Sequence, residues 1–313
     1  MAVASPDNSF ISVVVPVYNS ETILPKLIAR LRPVLTATFQ RWEVVLVNDA
    51  SRDRSWEVIR SLAAVDPHLH GIDLMRNYGQ HNALLCGIRA ANGDVVVTLD
   101  DDLQHPPEEI PALLAKLQLG YDVVYGTAEN QVHGLFRNAA SQLTKLTLRH
   151  IMGAATARDV TAFRALRTSL RDAFSDYQGP QVALDVLLTW GTTRFSAVRV
   201  RHDPRREGKS NYNFAKLIVV ALNLLTGFST LPLRLASLIG FVFTLFGIGA
   251  LSFVLIQYFR NHGSIPGFPF LASLTAIFSG AQLFALGIVG EYLARIHVRT
   301  MDRPAYSVRS RTD

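Results

Sequence analysis

Three consecutive carboxylates, Asp100, Asp101 and Asp102, interrupt the stretch VVVTLDDDLQHPPEEI. Like charges side by side repel unless a cation, water or a basic partner offsets them. Alternate side chains of an extended strand share a face, so Asp100 and Asp102 are expected to converge while Asp101 points away. With the amide oxygen of Gln104 they form a hard-oxygen set suited to Mg²⁺ or Mn²⁺, completed by water and a diphosphate. The competing reading is a solvated strand end, since Pro106, Pro107, Glu108 and Glu109 make an ordinary first helical turn.

Two further stretches carry chemistry. In VNDASRDRS, Asp49 suits either a base edge or a turn, whereas Asp53, just ahead of a helical pattern, is expected to cap it. In RREGKSNYNF, Arg205, Arg206 and Lys209 surround Gly208 and Ser210. Such a segment either meets lipid headgroups or closes over phosphates on its glycine hinge and stabilises a leaving group. The two uses are compatible.

The elements that must position these groups are legible in the first third of the chain. Short β-branched runs, FISVVVPVY, WEVVLVND, HGIDLM and DVVVTLD, alternate with helical patterns around Ile23 to Leu35, Ser55 to Val65 and Asn82 to Ala91. This order predicts an α/β fold with a mainly parallel sheet flanked by helices, its strands apolar throughout because both faces are buried. Ligands of such sheets lie beyond the carboxyl ends of the strands. There the sequence places Pro16, Tyr18, Asn19 and Glu21 after the first run, Asn48 and Asp49 after the second, Arg76, Asn77 and Gln80 after the third, and the Asp cluster after the fourth. No glycine-rich dinucleotide loop or P-loop follows any of them.

The second half changes character. From Leu217 to Gly290 the charged candidates are Arg234, Arg260 and His262, and the chain as a whole is 49% hydrophobic with mean hydropathy +0.20. Residues 235–259 and 270–290 match the roughly 20 apolar residues a helix needs to cross hydrocarbon. The preceding run, with Asn223, Thr226, Ser229 and Pro232, is expected to lie in the interface. Basic residues before the first span and after the second satisfy the positive-inside rule with head and tail both cytoplasmic.

The expected organisation is therefore a cytoplasmic α/β domain over 1–212, an interfacial region over 213–233, two transmembrane helices within 234–292 and a basic cytoplasmic tail over 293–313. MAVASPDNSF lacks the basic start and apolar core of a signal peptide, and the single cysteine, Cys86, agrees with a reducing compartment. The net charge of +6 fits anionic lipid headgroups; without aromatic-basic interleaving, no nucleic-acid partner is expected. Gly240, Gly247, Gly249, Gly280 and Gly287 permit close helix packing, including with a second copy in a homo-oligomer.

The ordered set VVVPVYNSE, VNDASRD, RNYGQHNALLCGI, TLDDDLQHPPEEIPALL, GYDVVYGT, RREGKSNYNF, STLPLR and GEYLARI…RPAYSV resembles the bacterial polyprenyl-phosphate glycosyltransferases of family 2, GT-A type. That group includes undecaprenyl-phosphate formamido-arabinose transferases and undecaprenyl-phosphate glucosyltransferases, and dolichyl-phosphate mannose synthases share the head. The resemblance spans Ile11 to Val308. It implies a GT-A Rossmann-like head, a bacterial inner-membrane location and inverting transfer of one sugar from a nucleotide-sugar, expected to be UDP-linked, to a polyprenyl (undecaprenyl) phosphate. The product is a lipid-linked sugar donor for envelope glycan or lipid A modification.

The resemblance places Pro16, Tyr18, Glu21, Asp49 and Arg76 around the nucleotide, with Asp100 and Asp101 beside the nucleotide-sugar. It matches Asp100, Asp102 and Gln104 to the metal-binding D-x-D-x-Q, and Arg205 and Ser210 to the loop on the diphosphate or acceptor phosphate. Lys209 replaces a cation absent from Ser210-Asn211-Tyr212. Arg137 matches a basic position for the lipid phosphate, and Asp159 with Arg164 an acceptor-side motif. Ala50 and Ala162 depart from the family pattern of glycine and aspartate. Two alternatives use the same head: a processive polysaccharide synthase, which lacks here its Q-x-x-R-W motif, and a non-catalytic membrane-anchored nucleotide-sugar binder.

Overall fold

The computed structural model describes residues 9–128, 160–180, 182–203, 231–260 and 267–312. The head opens as the sequence predicts. Strands β1 (Phe10–Val17), β2 (Arg41–Asn48), β3 (Leu69–Leu74) and β4 (Val95–Thr98) alternate with helices α1 (Leu24–Thr38), α2 (Ser55–Ala63) and α3 (Gln80–Ala90). The four strands pair in parallel: β1 lies between β2 and β4, and β3 lies outside β2. From Ile11 to Val17 and from Trp42 to Asn48 every residue is buried, because helices cover both faces. Helix α1 sends Leu24, Leu27, Ile28, Leu31 and Leu35 into the core at helical spacing. Each such side chain contributes about 1.5–3 kcal/mol by leaving water.

Beyond β4 the sheet stops being purely parallel. Helix α4 (Ile110–Gln118) leads to β5 (Val123–Ala128), and β6 (Arg164–Arg167) runs antiparallel between β4 and β5. Helix α5 (Leu184–Gly191) precedes β7 (Phe195–Val200), which pairs in parallel with β5. The chain closes with helices α6 (Leu231–Arg260) and α7 (Phe268–Thr300) and strand β8 (Val308–Arg311). The result is an eight-stranded sheet in the order β7-β5-β6-β4-β1-β2-β3-β8.

Strand β8 corrects the expectation of a plain basic tail over 293–313. Residues up to Thr300 continue α7, and Val308–Arg311 adds antiparallel to the edge of β3. Its charges have a structural use: Arg309 lies 3.4 Å from the buried Asp73, and the Gly71 N–H donates to Thr312 Oγ1 at 2.6 Å. Asn82, on α3, donates to the carbonyl of Ala305.

The chain divides into two compact units, one holding the sheet (Met1–Ile218 with Asp302–Asp313) and one holding α6 and α7 (Val219–Met301). Among the described residues of the second unit two stretches are long and apolar enough to cross a membrane, Pro232–Gln257 and Ile277–Val298. The apolar runs read from the sequence, 235–259 and 270–290, fall within α6 and α7. Residues 231–233 of the expected interfacial region form the first turn of α6; its remainder, 213–230, lies outside the described residues. Phe278 of α7 packs against Phe243 and Phe246 of α6. A Cβ at Gly247 would come within 3.2 Å of the Phe278 ring, so one of the small residues serves packing within the hairpin.

Candidate active site

Four loops leave the carboxyl edge of β1 to β4, and the first two are knitted together. The Asn19 N–H donates to Ser51 Oγ at 2.9 Å and the Arg52 N–H returns to Asn19 Oδ1 at 2.8 Å. Two similar bonds lie beside them: the Glu21 N–H donates to Asp53, and the Arg54 N–H donates to Glu21. Asp53 also accepts from the Ser55 N–H at 3.1 Å, an Asx turn just ahead of α2; the N-cap position falls to Arg54 with no side-chain cap bond, so the cap expected of Asp53 is not formed. Tyr18, 41% exposed, stands at the mouth, whereas Pro16 is buried within β1 opposite Val47.

Asp49 is 3% exposed and accepts the Tyr78 and Gly79 N–H groups at 2.7 and 2.8 Å. Burial raises its carboxyl above the ordinary value, against the pull of those two donors. Asp49 thus fastens the loop after β3, a partner about 30 residues along the chain rather than a local turn, and in that loop Arg76 stacks on the Tyr78 ring at 4.6 Å. Gly79, at φ 95°, adopts a backbone that side-chain-bearing residues rarely take.

Strand β4 ends at Thr98, so the three aspartates occupy a turn rather than an extended strand. The turn still separates them. Asp100 Oδ1 accepts from Gln80 Nε2 at 2.7 Å, and Asp102 Oδ1 accepts from the Gln104 N–H at 3.1 Å. Asp101 turns toward β1 instead, where its Oδ2 accepts from the Ser20 hydroxyl and the Tyr18 N–H. Burial pushes the Asp101 carboxyl up to about 6, against the Ser20 and Tyr18 donors. Left-handed backbone at non-glycine residues gathers in these loops: Asn19 (φ 55°), Ala50 (φ 51°) and Leu103 (φ 60°). Strain of about 1–3 kcal/mol per residue is typical of functional loops.

Among the described residues no three His, Cys, Asp or Glu side chains converge on a metal position. Asp100, Asp102 and Gln104 nevertheless fit a hard cation by donor type, because Mg²⁺ and Mn²⁺ take a few carboxylates and fill remaining positions with water and phosphate oxygens. The Asp203 N–H donates to the Gln104 carbonyl at 2.8 Å, which brings the exit of β7, leading into the basic segment, onto the carboxylate turn. His105 stacks edge-on against His202 at 4.9 Å. Burial, with His202 beside it, pushes its imidazole down to about 4, so it is neutral at neutral pH.

The Glycosyl transferase family 2 profile matches residues 12–177, just over half of the chain. An undecaprenyl-phosphate 4-deoxy-4-formamido-L-arabinose transferase of Pectobacterium atrosepticum is 39% identical over 95% of this chain and 92% of its own. The chain belongs to glycosyl transferase family 2. The transferase of the same name from Salmonella choleraesuis is 36% identical over 95% of this chain and 92% of its own. Among solved structures, glucosyl-3-phosphoglycerate synthase from Mycobacterium tuberculosis, in complex with Mn²⁺, UDP and glucosyl-3-phosphoglycerate, superposes with a TM-score of 0.52 at 17% identity. The match covers 70% of this chain and 78% of that one, and establishes the shared GT-A fold.

For this family-2 glycosyltransferase the structure gathers Tyr18, Glu21, Asp49, Arg76 and Asp100 to Gln104 along one sheet edge. Arg137, Asp159, Arg205, Lys209 and Ser210 lie outside the described residues. Arg164 departs from its expected acceptor-side place. It is 2% exposed within β6, opposite Thr98 and Tyr125, with its guanidinium ion-paired to Asp185 of α5. Tyr125 Oη donates to the same carboxylate. Arg164 is thus sealed into the wall of the head, where a partner of opposite charge offsets its burial. Sequence reasoning missed Ser20, His105 and His202, whose partners are remote in the chain, and Ser55 at the start of α2, whose link to Ser20 is equally remote.

Proposed function

We propose that this enzyme transfers one sugar from a nucleotide-sugar, UDP-linked in our reading, to the phosphate of a membrane polyprenol. The observation that carries this reading is connectivity. The sheet that bears the carboxylates is completed by β8, which follows two membrane-length helices. An enzyme tethered to a bilayer through both ends of a helical hairpin suits an acceptor that resides there. That β8 belongs to the same sheet as β1 to β4 supports an even number of crossings. Two crossings, with an interfacial segment before them, put head and β8 together on the cytoplasmic side of the inner membrane, in line with the basic flanks.

The chemistry asks little of a base. A phosphate monoester carries between one and two negative charges near neutral pH, so its oxygen attacks the anomeric carbon as an anion. The bond from that carbon to the diphosphate breaks, a nucleoside diphosphate leaves, and attack from the opposite face inverts the configuration. What the protein contributes is aim. Tyr18 and Arg76, with the loops that Asp49 and Glu21 fasten, line the nucleotide side. Arg137, Arg205, Lys209 and Ser210 are assigned to the phosphates, and Asp159 to orienting the acceptor. Asp100, Asp102 and Gln104 would hold a divalent ion, which would supply positive charge beside the departing diphosphate.

Transfer of radiolabelled sugar to polyprenyl phosphate in detergent tests the proposal. Asp102→Ala, and separately excess chelator, should lower turnover roughly 100-fold or more. Full activity in either case would remove the metal from the account.

A further inference from the structure

Asp101 is the one member of the acidic triplet that the proposed chemistry does not use. Its Oδ2 takes two donors from the loop after β1, the Tyr18 N–H and the hydroxyl of Ser20, which is 5% exposed and also lies 3.2 Å from the Tyr18 carbonyl. That loop is locked to the next, since the Ser20 N–H donates to Ser55 Oγ at 2.8 Å and Ser55 Oγ donates to Asp53. A continuous run of hydrogen bonds therefore joins the carboxylate turn to the β1 and β2 loops. Removing its first link leaves the buried Ser20 hydroxyl without that acceptor.

We propose that Asp101 is a positioning residue that latches the nucleotide-side loops, through Ser20, to the turn carrying Asp100 and Asp102. This rests on the assignment of those loops to the nucleotide. It separates the three carboxylates into two jobs: Asp100 and Asp102 face the reacting diphosphate, and Asp101 fixes the distance between that diphosphate and the nucleoside. Because a single oxygen accepts both bonds, an asparagine carbonyl can do the same. The neutral Asp101→Asn variant would therefore keep the latch, whereas alanine cannot.

The test compares Asp101→Asn, Asp101→Ala, Ser20→Ala and the double alanine variant in the full-length chain. Hydrogen exchange without ligand should quicken in residues 18–22 and 51–55 for both single alanine variants and stay near wild type for Asp101→Asn. Exchange in β5, β6 and β7 should not change. With donor present, KM for the nucleotide-sugar should rise roughly 10- to 100-fold in Asp101→Ala and less in Ser20→Ala, with KM for polyprenyl phosphate unchanged. The double variant should be no worse than Asp101→Ala, as expected of two ends of one interaction. Equal damage from asparagine and alanine would mean that Asp101 acts through its charge, and overturns the latch. So would unchanged exchange in both loops, or additive effects in the double variant. Exchange needs no substrate, so loss of the proposed acceptor would leave this result standing.

Discussion

The loops at the carboxyl edge of β1 to β3 and the wall around β5 to β7 are held mainly by different forces. On the β1-β2-β3 side, polar side chains at the strand ends bind backbone groups of neighbouring loops: Asn19 with Ser51 and Arg52, Glu21 with Arg54, Asp49 with Tyr78 and Gly79. On the β6-β5-β7 side, full charges meet. Arg164 pairs with Asp185, and Asp122 holds Arg194 at 2.8 Å and Arg167 at 3.4 Å. The first arrangement sets the shape of a ligand edge with many modest bonds; the second clamps a wall. Damage to the first region should therefore appear in donor binding, and damage to the second in stability.

The largest effect should come from the wall. Arg164→Met leaves Asp185 buried without its counter-charge and should cost about 3–5 kcal/mol, read as a fall in Tm. Adding Asp185→Asn should recover most of it. A variant that stayed folded but lost only acceptor affinity would return Arg164 to the lipid phosphate. Next comes Asp49→Ala, which removes the acceptor of two loop N–H groups and should weaken nucleotide binding by about 1–3 kcal/mol, with a smaller change in Tm. If Tm fell as far as in Arg164→Met, the contrast between the regions would collapse.

A smaller effect is pH-dependent. Partial burial pushes Asp122 up, but hydrogen bonds from Arg194 and Thr192, with the charges of Arg194 and Arg167, hold it below its ordinary 3.8. A lowered folded pKa contributes stability above the unfolded value and loses it as pH falls through the folded one. The Tm gap between wild type and Asp122→Asn, modest because solvent screens the exposed arginines, should be full near neutral pH and close below pH 3.8. The smallest effect belongs to the ligand edge. Ala50→Gly relieves a left-handed alanine and should raise stability by roughly a few tenths of a kcal/mol with transfer unaffected.

What was legible in the sequence follows the same division. Strands β1 to β4 announce themselves because strands buried on both faces are unbroken apolar runs. Strand β6 (RALR) and strand β8 (VRSR) carry no such signal; their pairing with β4 and β3 depends on contacts far along the chain. For the same reason, Arg164 reads as a free cation until its partner on α5 is known. Asp101 reads as an unexplained charge until Ser20, 81 residues away, is seen to face it. Even nearby chemistry is only partly readable: Asp53 binds the Ser55 N–H two residues on, but α2 begins one residue too late for it to be the N-cap.

The central claim is direct transfer of a single sugar to a lipid phosphate, and the mass of the lipid product tests it most directly. With a panel of nucleotide-sugars and undecaprenyl phosphate, the enzyme should yield one lipid that carries one phosphate and one sugar, with release of a nucleoside diphosphate. A product with two phosphates, a ladder of added sugars, or no lipid product from any donor would contradict it.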